Sequence, residues 1–494
     1  MLIWLVLVPV IACLLIGFLR TPGRLTALVS ASLTLVMGVA AFIISSSGCP
    51  TTCLTTFCGH STQFAILPIS APLLLLTVLV TFAAIYGMKA PDAQAERSWS
   101  ISTLLISAGA TGAFTSDNVF AFYAFHELAL IPTFVMIGFY GRGERRTIAW
   151  RATIYLGVAS MLLLAGLAIL CAEMGAYSFT EILLYAFSGR VPASACLIGA
   201  LLLSGFGALV SLFPFHSWAA PAYASAPTPI AMMHAGVLKK FGLYGLFMVA
   251  LVLGPGMGQV FGCWNNLLLL FLLGNVLWVG YVTVSQSRLD DMLGNSSVMH
   301  MGYIFLAFAA FIASGGHNVL AFRGAALLML AHGLTIALLF LLTGQIERQT
   351  RTLEISALGG LAQKLPRLGF LFGLAGLASI GLPLLANFAG EFTIFISCFN
   401  GMTPTTFECQ TLNTISGWFG GVGPVQLAAI AAVWGLVISA VYMLRAFRRV
   451  FEGELSPACE RATGLCCSDT IPALFLAFFI VLFGVAPFLV FALI

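Results

Sequence analysis

Charged side chains are scarce in this chain. Only 8% of its 494 residues are Asp, Glu, Lys or Arg, whereas 60% are hydrophobic. An ordinary globular protein is about one quarter charged, so this chain has too little charge to cover the surface of a soluble fold. A mean hydropathy of +1.05 agrees. The composition excludes a soluble protein, and with a net charge of only +4 we expect no nucleic-acid partner.

Motifs for catalysis are missing as well. The sequence contains no Gly-rich phosphate loop, no G-x-G-x-x-G after a strand and no Ser/His/Asp pattern. Cys466 and Cys467 are adjacent, which suits neither an iron–sulfur cluster nor a zinc site. Four cysteines fall in predicted outer connections, where an oxidising compartment permits a disulfide of undetermined pairing: Cys49, Cys53, Cys58 and Cys409. We expect no metal or redox cofactor in this chain, and movement of ions or protons instead of an isolated active site.

Long apolar runs recur along the whole chain. Each is about 20 residues long, enough to cross a hydrocarbon core of about 30 Å. Backbone groups in lipid must bond to one another, which favours helices, and the short alternating segments of a β-barrel are not seen. The sequence predicts an all-α polytopic membrane protein with about fourteen transmembrane helices. We place them at 2–19, 25–45, 67–88, 101–115, 118–140, 152–172, 194–213, 225–253, 265–286, 293–314, 319–344, 368–398, 424–444 and 471–493.

The placement of the basic residues supports this count. With the amino terminus outside, only Arg190 and Arg323 of the 21 Lys and Arg fall on the outer side, while Lys239 and Lys240 lie within a span. The others lie on the inner side, as the positive-inside rule requires. An additional or missing helix midway would scatter them over both sides. We therefore expect a multi-pass protein of the bacterial inner (plasma) membrane with both termini on the periplasmic side.

Two spans are interrupted by helix breakers. The twelfth contains Gly381-Leu382-Pro383. The seventh and the run after it contain four prolines within 16 residues: Pro214, Pro221, Pro227 and Pro229. Broken helices at corresponding places in two halves are typical of transporters built from inverted repeats, and two Pro-kinked packing helices are the alternative. We predict two inverted five-helix repeats in a translocation core at 114–400, flanked by transmembrane helices at 1–113 and 401–494.

Three ionisable residues, Glu127, Lys239 and Lys240, lie deep inside predicted spans. A charged group at such a depth costs about 2.5–3.5 kcal/mol on insertion scales, so it is rarely without a function. Glu127 is a candidate proton carrier, and the alternative is a structural carboxylate paired with a base such as Arg151. Consecutive helical residues point about 100° apart. One lysine can therefore face the interior while the other packs against a neighbour or pairs with a carboxylate.

Further titratable residues lie in other spans. Glu391 follows the second break, and His234, His300 and His332 lie in the eighth, tenth and eleventh spans. A lone histidine in a membrane helix is more often a packing residue, but three of them with two glutamates and a lysine favour a chain of titratable groups. Several polar residues can hold water between these groups: Asn275, Asn295, Ser296, Ser297 and Tyr303.

A set of motifs resembles one family. In chain order they are His126-Glu127-Leu-Ala-Leu-Ile-Pro132, Phe213-Pro-Phe-His-Ser-Trp218, Ala226-Pro-Thr-Pro229, Ala235-Gly-Val-Leu-Lys-Lys-Phe-Gly-Leu-Tyr-Gly245, Ser296-Ser-Val-Met-His-Met-Gly302, Ala331-His-Gly333, Gly359-Gly-Leu361 and Gly381-Leu-Pro-Leu-Leu-Ala-Asn-Phe-Ala-Gly-Glu-Phe392. The set resembles the antiporter-like membrane subunits of proton-translocating NADH–quinone oxidoreductase, respiratory complex I. The Gly-Glu-Phe at its end favours chain M, also called subunit 4, over relatives that carry a lysine there.

The resemblance implies a hydrophilic axis along the membrane midplane. Its residues in this chain are Glu127, Lys240, His300, His332 and Glu391. In the family this axis is thought to move protons, driven by quinone reduction in a distant part of the complex. NADH, FMN, iron–sulfur clusters and quinone then belong to partner subunits, and the other membrane-arm subunits and the lipid bilayer surround this chain.

Three positions depart from the family pattern. The seventh-helix lysine is replaced by Leu209, the sixth-helix lysine appears as Arg151, and the Lys-Arg of a D-L-K-R-L loop is replaced by Asp290-Asp291. The first departure matters most, because a leucine can neither hold nor pass a proton.

The absence of a lysine at position 209 leads to a specific prediction about pairing, and it leaves alternatives for the function. We predict that Arg151 pairs with Glu127, and that Lys239 or His234 helps Lys240 to relay. The leading interpretation is a proton-translocating subunit of a bacterial NADH–quinone oxidoreductase. The alternatives are a subunit of a cation/proton antiporter or membrane-bound hydrogenase, and a structural membrane subunit that does not pump.

Overall fold

The computed structural model describes residues 1–46, 52–57, 60–67, 69–400 and 422–493. Over these ranges the chain is helical, except for an antiparallel hairpin of β1 (Thr52–Phe57) and β2 (His60–Ala65) in a connection for which the sequence predicts no element. The predicted disulfide candidates Cys49, Cys58 and Cys409, and the side chain of Cys53, lie outside the described residues.

The helices follow the predicted spans. They are α1 (Leu2–Phe18), α2 (Gly23–Ser46), α3 (Ser70–Tyr86), α4 (Ala93–Thr115), α5 (Val119–Tyr140), α6 (Arg145–Met174), α7 (Phe179–Phe187), α8 (Ala195–Val210), α9 (Ala219–Ser225), α10 (Thr228–Met233), α11 (Lys240–Leu253), α12 (Met257–Phe261), α13 (Asn265–Leu273), α14 (Gly280–Ser285), α15 (Leu289–Ala313), α16 (Val319–Thr350), α17 (Pro366–Ile380), α18 (Ala386–Ser397), α19 (Pro424–Ala432), α20 (Trp434–Phe451), α21 (Pro457–Glu460), α22 (Cys467–Val485) and α23 (Phe488–Phe491). Two π-helical turns, His234–Leu238 and Gly274–Val279, join α10 to α11 and α13 to α14. Short 3₁₀ turns lie at Gly254–Gly256, Gly262–Trp264, Ile355–Ala357 and Leu361–Gln363.

The fold class is confirmed as a polytopic helical membrane protein. In the described part of the chain, eight helical segments are long and apolar enough to cross a membrane, and shorter apolar helices such as α1, α3, α8 and α17 accompany them. The exact number of crossings stays a prediction. The apolar window of α16 is 100% buried within the protein, whereas that of α2 is 33% buried. Helix α16 therefore forms the centre of the bundle, and α2 lies at its lipid-facing edge.

Polar caps determine where several helices begin. Asp92 accepts a hydrogen bond from the Ala95 N–H at 2.7 Å, so α4 begins eight residues before its predicted start at 101. The apolar run alone marks the lipid-embedded part of α4 and misses this polar first turn. Asn118 caps α5 in the same way, accepting from the N–H groups of Phe120 and Ala121 at 3.0 Å each. This cap fixes the start of the helix that carries Glu127.

The two predicted helix breaks are confirmed, and they share one local design. Helices α8 and α17 end at Ser211 and Gly381 in the left-handed region, with φ of 69° and 84°. At each end, two successive N–H groups donate to carbonyls three and five residues back, the Schellman arrangement. Pro214 and Pro383 follow and exclude continuation of either helix. The same turn in both halves supports the predicted inverted repeat.

Asn275 compensates for the first break. Its amide oxygen accepts from the Phe213 N–H, and its amide nitrogen donates to the carbonyls of Ser211 and Val298 at 3.1 Å each. Buried backbone groups without partners are costly in a membrane, so this side chain replaces helical bonds that the break removes. The sequence suggests Asn275 as a residue that holds water, whereas the structure makes it the brace that positions the broken helix.

Candidate functional site

Five buried side chains form a continuous line through the centre of the bundle: Lys239, Ser297, His332, His300 and Glu391. The Lys239 Nζ atom lies 3.5 Å from the Ser297 Oγ atom, which lies 3.2 Å from the His332 Nε2 atom. The His332 and His300 rings are stacked, with centroids 5.3 Å apart. The His300 Nε2 atom lies 3.9 Å from a carboxylate oxygen of Glu391. The line joins the π turn before α11 to α15, α16 and α18.

His300 is held at both ring nitrogens. Its Nδ1 atom lies 2.8 Å from the Ser296 carbonyl oxygen, and its Nε2 atom lies 2.8 Å from the Ser379 carbonyl oxygen in α17. A neutral imidazole has one N–H and donates to only one of these carbonyls, whereas an imidazolium donates to both. The surroundings therefore accommodate a protonated His300, with Glu391 available as its counter-ion.

The two adjacent lysines have different environments, as predicted. Lys239 contacts Ser297, and its ammonium lies 5.3 Å from the ring centroid of Tyr223. The Lys240 ammonium donates to the Ala235 carbonyl within the π turn at 2.8 Å. The resemblance assigned the axis to Lys240, but the lysine in hydrogen-bonding contact with the histidine line is Lys239.

His234 opens the π turn that presents Lys239. Its ring packs on Trp218 with centroids 5.6 Å apart and meets Tyr223 edge-on at 5.0 Å. The Tyr223 ring thus contacts both His234 and Lys239. A π turn inside an α-helix frequently marks a functional site. Tyr223 was not predicted, and its only sequence signal is an aromatic residue within the proline-rich segment.

Glu127 belongs to a second cluster, on the facing sides of α5 and α6. Its carboxylate accepts a short hydrogen bond from the Ser160 hydroxyl, and Ser160 in turn lies 2.8 Å from the Tyr123 hydroxyl. The His126 Nδ1 atom lies 3.4 Å from the same carboxylate oxygen. Ser160 and Tyr123 were missed in the sequence, because their proximity to Glu127 depends on how α5 and α6 pack.

A cavity of about 150 Å³ separates the two clusters. Glu127 and Thr133 on α5, Thr153 and Gly157 on α6, and His234 in the π turn contribute to its walls, together with apolar side chains. Its lining is mainly apolar, and its polar residues are Glu127, Thr133, Thr153 and His234. The cavity connects the carboxylate of Glu127 with the histidine next to Lys239.

Arg151 does not join either cluster. Its side chain is exposed on α6, and in the described parts of the chain it makes no ion pair with Glu127, so the predicted pairing is wrong. The physical reason is height along the helix. Ser160, nine residues further along α6, lies at the level of Glu127, and nine residues correspond to about 13 Å of rise. The base next to the carboxylate is His126.

The acidic pair Asp290 and Asp291 lies next to an arginine. Arg288 lies 2.8 Å from the Asp290 carboxylate, 3.6 Å from Asp291 and 3.7 Å from Glu354. The hydrogen bond from Arg288 to Asp290 is the main factor that raises the pKa of this guanidinium in the connection before α15. The two aspartates are thus part of an ion-pair network around Arg288 and lie outside the buried line.

The broken helices and the buried line of titratable groups define an antiporter-like helical membrane protein. The chain belongs to the family NADH:quinone oxidoreductase/Mrp antiporter, TM, whose model matches residues 116–415. This confirms the resemblance found in the sequence. Leu209, at the position where the resemblance implies a lysine, is buried in α8.

Curated relatives agree with this assignment. The chain is 33% identical over 399 residues to NAD(P)H-quinone oxidoreductase chain 4 2 of Microcystis aeruginosa, covering 80% of this chain and 67% of that protein. It is 30% identical over 390 residues to NADH-quinone oxidoreductase subunit M of Rickettsia conorii, covering 78% of this chain and 72% of the relative.

Solved structures share the fold at lower identity. A chain of respiratory complex I from Thermus thermophilus with bound NADH superposes with a TM-score of 0.84 at 24% identity, covering 100% of this chain and 97% of that one. A chain of the Mrp complex from Dietzia sp. gives 0.82 at 20% identity, covering 100% and 95%. A chain of an archaeal membrane-bound sulfane sulfur reductase gives 0.84 at 24% identity, covering 98% and 76%.

Proposed function

We propose that this chain is a membrane-arm subunit of a bacterial NADH–quinone oxidoreductase and translocates protons. The observation that carries the proposal is the continuous buried line from Lys239 through Ser297, His332 and His300 to Glu391. Ionisable groups inside a membrane are costly and mark ion or proton pathways. Partner subunits handle NADH and quinone, to which the names of the relatives refer, and they also hold the FMN and the iron–sulfur clusters.

Charge coupling along the line provides the mechanism. Lys239 passes a proton through the Ser297 hydroxyl, which both donates and accepts, to the Nε2 atom of His332. A positive charge on His332 then repels a proton held on the stacked His300 ring, because like charges about 5 Å apart interact strongly in a medium of low dielectric constant. The His300 proton moves to Glu391, 3.9 Å away. Electron transfer in partner subunits drives this cycle.

Glu127 and His126 form the second section of the path. His126 supplies the base that Leu209 does not, and we place the connection from Glu127 to His234 in the cavity that both residues line. Lys240 sets the electrostatic field next to Lys239 from its position on the Ala235 carbonyl. The chain lies in the bacterial inner membrane with both termini on the periplasmic side, as the distribution of Lys and Arg indicates.

The experiment is proton translocation by the reconstituted complex. The complex is isolated from its native membrane with its co-eluting chains, placed in vesicles and supplied with NADH and quinone. Glu391→Gln lowers the number of protons moved per electron, whereas the matched variant Glu181→Gln, at an exposed carboxylate on α7, leaves it unchanged. An unchanged ratio in Glu391→Gln, or isolation without any NADH-oxidising chain, refutes the proposal.

A cation/proton antiporter or a membrane-bound hydrogenase is the second candidate. The specific observation in its favour is a fold shared with the Mrp complex at a TM-score of 0.82. The co-eluting chains separate the candidates, and a sodium gradient that exchanges for protons without NADH supports the antiporter. A subunit that does not pump, which the leucine at 209 permits, predicts that substitutions along the whole line leave proton movement unchanged.

A further inference from the structure

Two exposed cysteines, Cys196 and Cys263, lie next to each other at one end of the bundle. Cys196 lies in the first turn of α8, and Cys263 lies in the 3₁₀ turn Gly262–Trp264. Their Sγ atoms are 3.0 Å apart, although the residues are 67 positions apart in the chain. A disulfide bond is about 2.05 Å long, so the sulfur atoms need to approach by only about 1 Å. The sequence offered no signal for this pair.

The backbone around the two thiols holds them in register. The Trp264 indole N–H donates to the Cys196 carbonyl at 2.8 Å, which bonds the turn to the start of α8. One turn further along α8, Gly199 packs directly against the Val260 carbonyl, and a Cβ atom at this position would collide with it. The glycine therefore permits the close approach that brings the cysteines together. The two cysteines therefore lie on two segments that pack directly against each other.

We propose that Cys196 and Cys263 form a disulfide in the mature protein. In the predicted topology both lie on the periplasmic side, where disulfides form and persist. The oxidant is a protein disulfide of that compartment. Two thiols lose two protons and two electrons, the Sγ–Sγ bond forms, and the oxidant's disulfide is reduced to a dithiol by thiol–disulfide exchange. Cys466 and Cys467, also exposed, lie on the opposite side and remain thiols.

The bond encloses the first half of the path in a covalent loop. The segment between the two cysteines contains the first break, the π turn and Lys239. A disulfide fixes the outer end of α8 to the turn that comes after α11 and α12, at the end of α8 opposite to the break at Ser211. It thus ties down one end of the element that carries the relay.

Thiol trapping in native membranes tests the proposal. Cells are quenched in acid, free thiols are blocked with N-ethylmaleimide, and the protein is reduced and labelled with a heavier maleimide for peptide mass spectrometry. We expect Cys196 and Cys263 to carry the heavy label and Cys466 to carry the light one. Light label on both Cys196 and Cys263 refutes the disulfide.

A variant keeps the test independent of folding and of proton pumping. In Cys196→Ser, the Cys263 thiol loses its partner and takes the light label, while Cys466 is labelled as before. Heavy label on Cys263 in this variant means that Cys263 is linked elsewhere and contradicts the pairing. Both readouts are independent of NADH oxidation, so a failure of the proposed function leaves them unaffected.

Discussion

The Nδ1 atom of His126 lies 3.4 Å from the carboxylate of Glu127, so this glutamate has its own neighbour in sequence as its base. His126 is almost completely buried, and its ring meets Phe241 edge-on with centroids 5.4 Å apart. Phe241 directly follows Lys240. The contact between the His126 and Phe241 rings therefore links the Glu127 cluster to α11. This link does not need a lysine at position 209.

Substitution of His126 by phenylalanine tests this role. An aromatic ring is retained and the base is lost, so we expect proton translocation to fall by about a hundredfold or more, the lower end of the range for loss of a proton-transfer group. The measurement is proton uptake by vesicles during NADH oxidation. Arg151→Ala is the control and leaves uptake unchanged, because Arg151 is exposed and does not pair with Glu127. If proton uptake falls in Arg151→Ala and not in His126→Phe, the pairing of Arg151 with Glu127 that the sequence predicts is correct after all.

The sequence predicts correctly where a property belongs to one segment. The apolar runs predict the helices, and Pro214 and Pro383 predict both breaks, because proline removes a backbone donor wherever it stands. The residues of the central line, His300, His332 and Glu391, could also be named, since a titratable group in an apolar span is conspicuous.

Prediction fails where a property depends on packing between segments. The partner of Glu127 is decided by the relative height of α5 and α6. This height brings Ser160 to Glu127, and Arg151 lies about 13 Å from Ser160 along the axis of α6. The choice of Lys239 over Lys240 depends on the π turn at His234–Leu238. One extra residue in a turn rotates the rest of the helix by about 100°. No single sequence pattern predicts where such a π turn occurs.

Lys239 and Lys240 can be distinguished by a double-mutant cycle with Ser297. Because Lys239 contacts the Ser297 hydroxyl, the losses from Lys239→Met and Ser297→Ala are expected to overlap, with a coupling of about 0.5–3 kcal/mol in the barrier to translocation. Lys240 bonds to the Ala235 carbonyl instead. The effects of Lys240→Met and Ser297→Ala on the translocation rate are therefore expected to be independent, so that the two fold-changes multiply in the double variant. Initial rates of proton uptake in the single and double variants give both couplings. If Ser297 is coupled to Lys240 and not to Lys239, the assignment of Lys239 to the buried line is wrong.

Asn275 is expected to stabilise the fold through the first break. Asn275→Leu leaves the Phe213 N–H and the Ser211 carbonyl without their partner, and each unpaired buried group costs about 1–3 kcal/mol. We expect a lower thermal unfolding temperature in detergent. Asn265→Leu is the matched control, since the Asn265 amide oxygen is buried without a partner in the described structure. Equal losses in the two variants contradict the bracing role.

Gly390 determines the position of Glu391 through helix packing. A Cβ atom at Gly390 would lie 2.9 Å from both the N and the Cα atoms of Leu328, backbone atoms that cannot rotate away. Gly390→Ala therefore pushes α18 away from α16, with a loss of about 1–3 kcal/mol in the free energy of unfolding. Glu391 moves with it and lengthens its 3.9 Å approach to His300.

The matched control for this substitution is Gly258→Ala on α12, because a Cβ atom there meets no atom within 4 Å. In this variant alanine replaces glycine inside a helix without a clash, and stability is unchanged or rises by up to about 1 kcal/mol. Thermal unfolding and protons moved per electron are measured for both variants. Gly390→Ala is expected to lower both the unfolding temperature and the number of protons moved per electron, and Gly258→Ala is expected to lower neither. If Gly390→Ala unfolds at a lower temperature but pumps normally, the distance between His300 and Glu391 does not limit proton transfer, and the last step of the proposed path is wrong.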